Sequence, residues 1–369
     1  MTQSAKSEQR NQFHTVSLRE ILQAMPKVDL HRHLEGSLRL ETLAEAAREH
    51  GVDLPSYDIE ELRPLVQVVD GDPYDFHRFL EKFKLLRRFY SCREAVERVA
   101  YEAVTDAAED NVQYLELRFS PASLAMTQDF SLDEVTDWVV QAVNRAQRDH
   151  HIAVGLIVSV MRDFGRAVAE NVTEVAIAYR DRGVVGLDLA GDEVHYPGKP
   201  FADLFRRAKA AGLGITVHAG EAMGPERVYE AITVLEADRI GHGVRTIENS
   251  DVVQLVLRRG IALEVCPTSN LQTGVVRSLG THPLRDLYRL GLRVTLNTDD
   301  PSVSNTTLTD EYVVAIQGIG LTMIELKNII MNGVRAAFLP PREKARLEKR
   351  VAKALGLTTS ARFRWRFWE

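Results

Sequence analysis

Short runs of apolar, often β-branched residues alternate along this chain with longer stretches in which apolar positions recur every three or four residues. The runs are VDLH (28–31), VQYLELRFS (112–120), IAVGLIVSV (152–160), VVGLDLA (184–190), GITVH (214–218), RIGHG (239–243), IALEVC (261–266) and RVTLNTDD (293–300). Strand-length runs separated by helical spacing predict an α/β fold with parallel strands, and a set of eight suits a closed (β/α)8 TIM barrel better than an open sheet. Residues 32–111 carry several helical patterns, which predicts additional helices inserted after the first strand and lying over the barrel mouth. Within 73–90, Phe76, Phe79, Leu80 and Phe83 share one helical face. Such a face reads first as packing against the barrel and second as an apolar wall over a bound sugar. No repeat, low-complexity tract or composition shift marks a linker, so 17–369 reads as one hydrolase barrel domain behind a polar, flexible tail over 1–16. The tail ends where Ser17 and Glu20 offer a capping box.

Polar, reactive residues collect where the runs end: His31 and His33, Arg118, Asp192 and Glu193, His218, His242, then Asp299 and Asp300. The C-terminal strand ends form the active-site face of a barrel enzyme, so this placement points to catalysis. His31 and His33 are two apart along a strand and project to one face. Taken alone the pair is a weak signal, but His218 and Asp299 close two other strands. Three imidazoles and one carboxylate are a ligand set for a divalent ion with a position left for water. Such an ion lowers the pKa of water towards neutrality, which makes hydrolysis the natural reaction.

Glu221, three residues after His218, reads as a proton shuttle or as a simple partner of a helix dipole. His242 lies between Gly241 and Gly243, which is expected to expose its ring so that it orients the water and accepts its proton; the alternative is a buried, satisfied histidine. Asp300 precedes Pro301 and reads either as a helix N-cap or, protonated, as a donor to an aromatic nitrogen.

Charge and cysteine usage narrow the partners. The net charge is −6 with Lys and Arg scattered, which argues against nucleic acid and membrane surfaces and favours a small-molecule substrate. Cys92 and Cys266 lie far apart and no C-x-x-C occurs, so neither a disulfide framework nor a thiolate zinc site is expected and a cytoplasmic setting is. The N-terminus lacks the apolar core of a signal peptide, and no apolar run has membrane-spanning length. Near the C-terminus Leu347, Val351 and Leu355 form a helical stripe, and the alternating Arg362 to Phe367 segment reads as an edge strand or as rings folded back on that helix.

Taken together, PKVDLHRHLEGSLRLETL, YLELRFSP, GLDLAGDE, TVHAGE, RIGHGV, CPTSNLQT, HPL and LNTDDP resemble, in order and over nearly the whole chain, the adenosine deaminase family of zinc-dependent purine deaminases. The resemblance implies one Zn2+ per chain on His31, His33, His218 and Asp299. It implies Glu221 as the residue that protonates purine N1, His242 as the aid to the zinc-bound water, Asp300 as the partner of N7 and the Gly191 backbone as the partner of N3, with His33 and Glu35 among the substrate contacts. The implied reaction is attack of hydroxide on C6 of adenosine or 2′-deoxyadenosine, a tetrahedral intermediate and loss of ammonia to give inosine or 2′-deoxyinosine.

One position departs from the pattern: members acting on adenosine have HLDG, where the carboxylate helps bind the ribose 5′-hydroxyl, and this chain has HLEG with Glu35. The extra methylene leaves aminodeoxyfutalosine and free adenine as alternative substrates. A two-metal hydrolase is disfavoured because no strand end offers a bridging lysine. A binding protein that has lost catalysis is disfavoured because the full residue set is present.

Overall fold

In the computed structural model, which describes residues 16–357, eight parallel strands follow one another around a single sheet in chain order. They are β1 (Lys27–His33), β2 (Val112–Phe119), β3 (Ala153–Met161), β4 (Val184–Ala190), β5 (Gly214–Ala219), β6 (Arg239–His242), β7 (Ala262–Val265) and β8 (Arg293–Leu296). Each strand falls on one of the eight apolar runs, with β1, β3 and β5 reaching one or two residues beyond theirs. The sheet closes through backbone just beyond β8: the His33 N–H donates to the Asp299 carbonyl at 2.8 Å, and the Asp299 N–H donates to the His31 carbonyl at 2.8 Å. Closure therefore sets three of the candidate ligand residues side by side. The capping box at Ser17 and Glu20 is formed at the start of the helix Leu18–Ala24. The tail expected over 1–16, apart from Val16, and the Arg/aromatic alternation over 362–367 lie outside the described residues.

Helices pack outside the barrel through apolar faces. Arg93–Glu109 buries Val96, Val99, Ala100, Ala103 and Val104, and Leu132–His150 buries Val135, Val139, Val140 and Val143. The C-terminal stripe is placed as its spacing requires, with Leu347 and Val351 buried on Pro341–Ala354 and Leu355 buried just after it. No helix among the described residues is long and apolar enough to cross a membrane.

The strands are not apolar up to their last residues, as the run pattern suggests. Glu116, Arg118, Asp188, Arg239 and Glu264 are buried inside the barrel and pair with one another. Glu264 Oε1 accepts from Arg239 Nε at 2.6 Å and Thr216 Oγ1 at 3.0 Å, while its Oε2 accepts from Arg118 Nη2 at 2.8 Å. Burial alone would raise the Glu264 carboxyl, but Arg239 and Arg118 hold it well below the usual carboxylate range.

The insertion after β1 is broken into short pieces. Leu40–Glu49 and Ile59–Val66 come first, and the single helix expected over 73–90 is instead Phe76–Glu81, Phe83–Leu86 and a tight turn over Arg87–Phe89, hinged at Lys82. The breaks let one segment meet two surfaces. Phe79 is buried and Phe83 packs against the core, yet Phe76, Phe79, Leu80 and Phe83 also line the cavity at the barrel mouth.

Candidate active site

A cavity of about 470 Å3 opens at the C-terminal end of the strands. His33, Glu35, Gly191, His218, Glu221, His242, Asp299 and Asp300 line it, with the 76–87 segment as one wall. Every residue to which the family resemblance assigns a catalytic or substrate-binding role borders this volume, and His31 is fully buried beside His33 and Asp299.

His31, His33, His218 and Asp299 converge. His31 Nε2 lies 3.2 Å and His33 Nε2 3.4 Å from Asp299 Oδ1, and His33 Nε2 faces His218 Nε2 at 3.2 Å. One donor atom from each of the four lies within 4.8 Å of the others. His31 Nε2 is buried without a hydrogen-bond partner. The nitrogens turned away from the cluster are held: Nδ1 of His31 by Glu264 at 2.8 Å and Nδ1 of His218 by Asp188 at 3.1 Å. A carboxylate behind the imidazole and a free nitrogen in front are the arrangement by which proteins orient histidine towards a metal, so this set fits a divalent ion. Asp299 itself is held in the left-handed region with φ +62, as is His242 with φ +58. Such conformations cost a non-glycine residue ~1–3 kcal/mol and persist where surrounding structure imposes them.

The other candidates gather around the cluster. Burial pushes Glu221 well up from the carboxylate range, helped by the nearby charges of Asp299 and Glu193. Its Oε2 lies 3.6 Å from His242 Nε2. The turn that carries Glu221 is fixed by Glu193, which accepts from the N–H groups of Gly220 at 2.7 Å, Glu221 at 3.2 Å and Met223 at 3.0 Å. No helix begins at Glu221; the next starts at Pro225, so the dipole alternative does not apply.

Asp300 precedes the short helix Pro301–Ser304 but makes no side-chain cap bond, and its Oδ1 is buried without a partner. Burial and the carboxylates Asp299, Glu35 and Glu221 push it well above the usual carboxylate range, which favours its protonated form. A Cβ at Gly36 would strike this carboxyl, which is why the backbone passes there as glycine. Glu35 accepts from the Ser120 N–H at 2.7 Å through Oε1, leaves Oε2 unpartnered, and is pushed up to about 7, chiefly by burial. Gly191, at φ +92, brings its backbone to the cavity edge, where a Cβ would meet Asp163 Oδ1 at 2.7 Å.

Three expectations change. The His242 ring is 1% exposed rather than open to solvent. The preceding glycine gives room to neighbouring rings, since a Cβ on Gly241 would lie 2.9 Å from His31 Cε1. Arg118 does not reach the cavity and belongs to the interior ion pairs. Asp192 does border the cavity but pairs with His195 Nδ1 at 2.6 Å. Sequence reasoning missed Glu264, Asp188 and Asn270, whose signal was a lone acidic residue inside an apolar run and an asparagine in the short helix Pro267–Gln272 after β7.

Fold and mouth together define a barrel enzyme with a His/Asp cluster that could hold a metal ion at its active-site end. The family model described as adenosine deaminase matches residues 26–354. An adenosine deaminase of Klebsiella pneumoniae (strain 342) is 42% identical over 330 residues, spanning 89% of this chain and 98% of that one. Among solved structures, adenine deaminase from Arthrobacter aurescens matches with a TM-score of 0.80 at 27% identity, covering 90% of this chain and 99% of its own. An amidohydrolase from Burkholderia ambifaria, with bound Zn, matches with a TM-score of 0.83 at 26% identity, covering 94% and 95%. The chain belongs to the adenosine deaminase family.

Proposed function

We propose that this chain hydrolyses the exocyclic C–N bond of a 6-aminopurine nucleoside, adenosine or 2′-deoxyadenosine, with one Zn2+ per chain held by His31, His33, His218 and Asp299. The observation that carries this reading is the pairing of two raised carboxyl groups, Glu221 and Asp300, with a cluster of inward-facing histidine nitrogens in one cavity. Three imidazoles and a carboxylate suit zinc, and the Burkholderia neighbour has bound Zn. An ion held there supplies Lewis-acid chemistry, lowering the pKa of water so that it attacks near neutral pH.

The chain's own residues do the rest. Glu221, whose carboxyl is pushed well up by burial, gives its proton to purine N1 and so makes C6 more electrophilic. Asp300, also protonated, donates to N7, and the Gly191 N–H meets N3. His242 faces Glu221 and holds the attacking oxygen. Water adds to C6 and one of its protons restores the carboxyl of Glu221; the proton of the added hydroxyl passes to the amino group as the C6–N bond breaks, and ammonia leaves the 6-oxo purine. Glu35 and His33 border the nucleoside side of the cavity, and the 76–83 rings cover it. The two free cysteines suit a reducing compartment such as the cytoplasm.

The test is ammonia release by the zinc-loaded protein from adenosine, 2′-deoxyadenosine, adenine and aminodeoxyfutalosine, compared by kcat/KM. The expected order puts the first two highest. Preference for adenine or the modified nucleoside would keep the reaction and move the substrate to the outcome that Glu35 leaves open. Silence on all four with zinc bound would end the reading.

A further inference from the structure

Three imidazoles face one another at the ends of β1, β5 and β6, with centroids 4.6 Å apart for His31 and His218 and 4.9 Å for His31 and His242. What each ring presents to the cavity is decided by the group behind it, because a neutral imidazole carries one proton and one lone pair. Behind His31 and His218 stand the carboxylates Glu264 and Asp188, at 2.8 and 3.1 Å from Nδ1. Both ionised groups only accept, so each ring keeps its proton on Nδ1 and turns the Nε2 lone pair inward.

Behind His242 stands an amide: the Nδ2 of Asn270, 3.0 Å from His242 Nδ1. An amide can turn either its donor or its acceptor to a neighbour, so its orientation must be fixed from outside. A chain of bonds beginning at the backbone does this. The Leu284 N–H donates to Nδ1 of His282 at 3.1 Å. A backbone N–H can only donate, so Nδ1 of His282 holds a lone pair and the ring proton is on Nε2. That nitrogen lies 3.4 Å from Asn270 Oδ1, to which it donates. Burial pushes His282 down to about 4, so it carries a single proton at working pH. With Oδ1 engaged, Asn270 turns its N–H to His242 Nδ1, and the one proton of His242 is left on Nε2. This N–H points into the space bounded by Glu221 Oε2 at 3.6 Å and Asp299 Oδ2 at 3.8 Å.

We infer that Asn270 and His282 are positioning residues that lock His242 as the Nε2–H tautomer, so that it enters the site as a hydrogen-bond donor and neither binds the metal nor takes a proton from the attacking water. The relay corrects the expectation that His242 accepts that proton. It also separates two geometrically possible metal sets, since His31, His242, Cys266 and Asp299 lie as near to one another as the set with His33 and His218. A ring that presents an N–H is not a ligand. The meaning of the lock for turnover rests on the deaminase reading, whereas the tautomer is measured without substrate, so the two fail separately.

The test is the 15N spectrum of the ring nitrogens in the zinc-loaded, histidine-labelled protein, with the His242 signals assigned by their loss in His242→Gln. The expected wild-type spectrum shows a protonated Nε2 and a bare Nδ1 for His242; a protonated Nδ1 would overturn the proposal, whatever the variants do. Asn270→Asp replaces the amide by a group that only accepts, and should invert the His242 tautomer and lower kcat about 10- to 100-fold with little change in KM or zinc content. His282→Leu frees the amide and should mix the tautomers. In His282→Gln the new amide again donates to Asn270, and both the Nε2–H signal and kcat should return towards wild type. An unchanged His242 spectrum in both Asn270→Asp and His282→Leu would assign the lock elsewhere and sink the relay.

Discussion

Two sets of buried polar groups occupy this barrel, and they are completed differently. In the interior each carboxylate oxygen has a donor: Glu116 Oε1 accepts from Tyr114 Oη at 2.9 Å and the Phe338 N–H at 2.6 Å, Glu116 Oε2 accepts from Arg239, and Glu264 is served by Arg239, Thr216, Arg118 and His31. At the mouth, His31 Nε2, Glu35 Oε2 and Asp300 Oδ1 are equally buried and have no hydrogen-bond partner. Burying such groups is costly in either place, so the difference lies in the partners withheld. The paired set holds the scaffold and orients His31 and His218. The unpaired set is left for a ligand to complete, and it is there that burial raises the carboxyl groups of Glu35 and Asp300.

That contrast predicts opposite responses to perturbation. Chelation of the metal should reduce ammonia release to background, with Zn2+ restoring it; activity surviving in protein shown to be metal-free would detach the histidine cluster from function. Next comes Asp300→Ala, expected to lower kcat/KM about 100-fold, whereas Asp300→Asn, whose amide still donates, should lose about tenfold. In the wild type, kcat/KM should fall on the alkaline side, because a raised carboxyl loses its proton as pH climbs through its shifted value, and Asp300 and Glu221 both act protonated. Equal losses in the two Asp300 variants would remove the donor role.

Stability should divide the same two regions. Glu264→Gln takes one of two carboxylates from each arginine, leaving Arg239 with Glu116 alone and Arg118 with Asp188 alone, and should cost about 3–5 kcal/mol in urea unfolding. Asp300→Asn breaks no hydrogen bond of its Oδ1 and relieves carboxylate crowding, so it should be neutral or stabilising by up to ~1 kcal/mol. A destabilised Asp300→Asn would erase the distinction between the regions. The smallest effect is expected from Glu35→Asp, a change of a few-fold in kcat/KM for adenosine relative to adenine, as the carboxylate shifts by about one bond length. An unchanged ratio would take Glu35 out of substrate selection.

Much of this architecture can be read without coordinates, because strand-length runs and helical spacing are local signals. The eight strands and the gathering of His31, His33, His218, Asp299 and Glu221 at one end follow from period and order along the chain. The interior pairs do not. Arg118 and Glu264 are 146 residues apart, and a lone charge in an apolar run shows nothing of the partner that neutralises it. The break at Lys82 was hidden because its flanks keep helical spacing on both sides. Whether Asp300 caps a helix or faces the cavity is a matter of a few torsions, and two glycines beside His242 say that space is needed without saying which ring uses it.

The most direct test of the account is turnover of adenosine by Glu221→Gln, with zinc content measured on the same sample. Glu221 is no part of the ligand cluster, and glutamine keeps its shape while removing the proton to be given. The account predicts full zinc occupancy and a kcat lower by about 10²- to 10⁴-fold. Near wild-type turnover with zinc bound would contradict it.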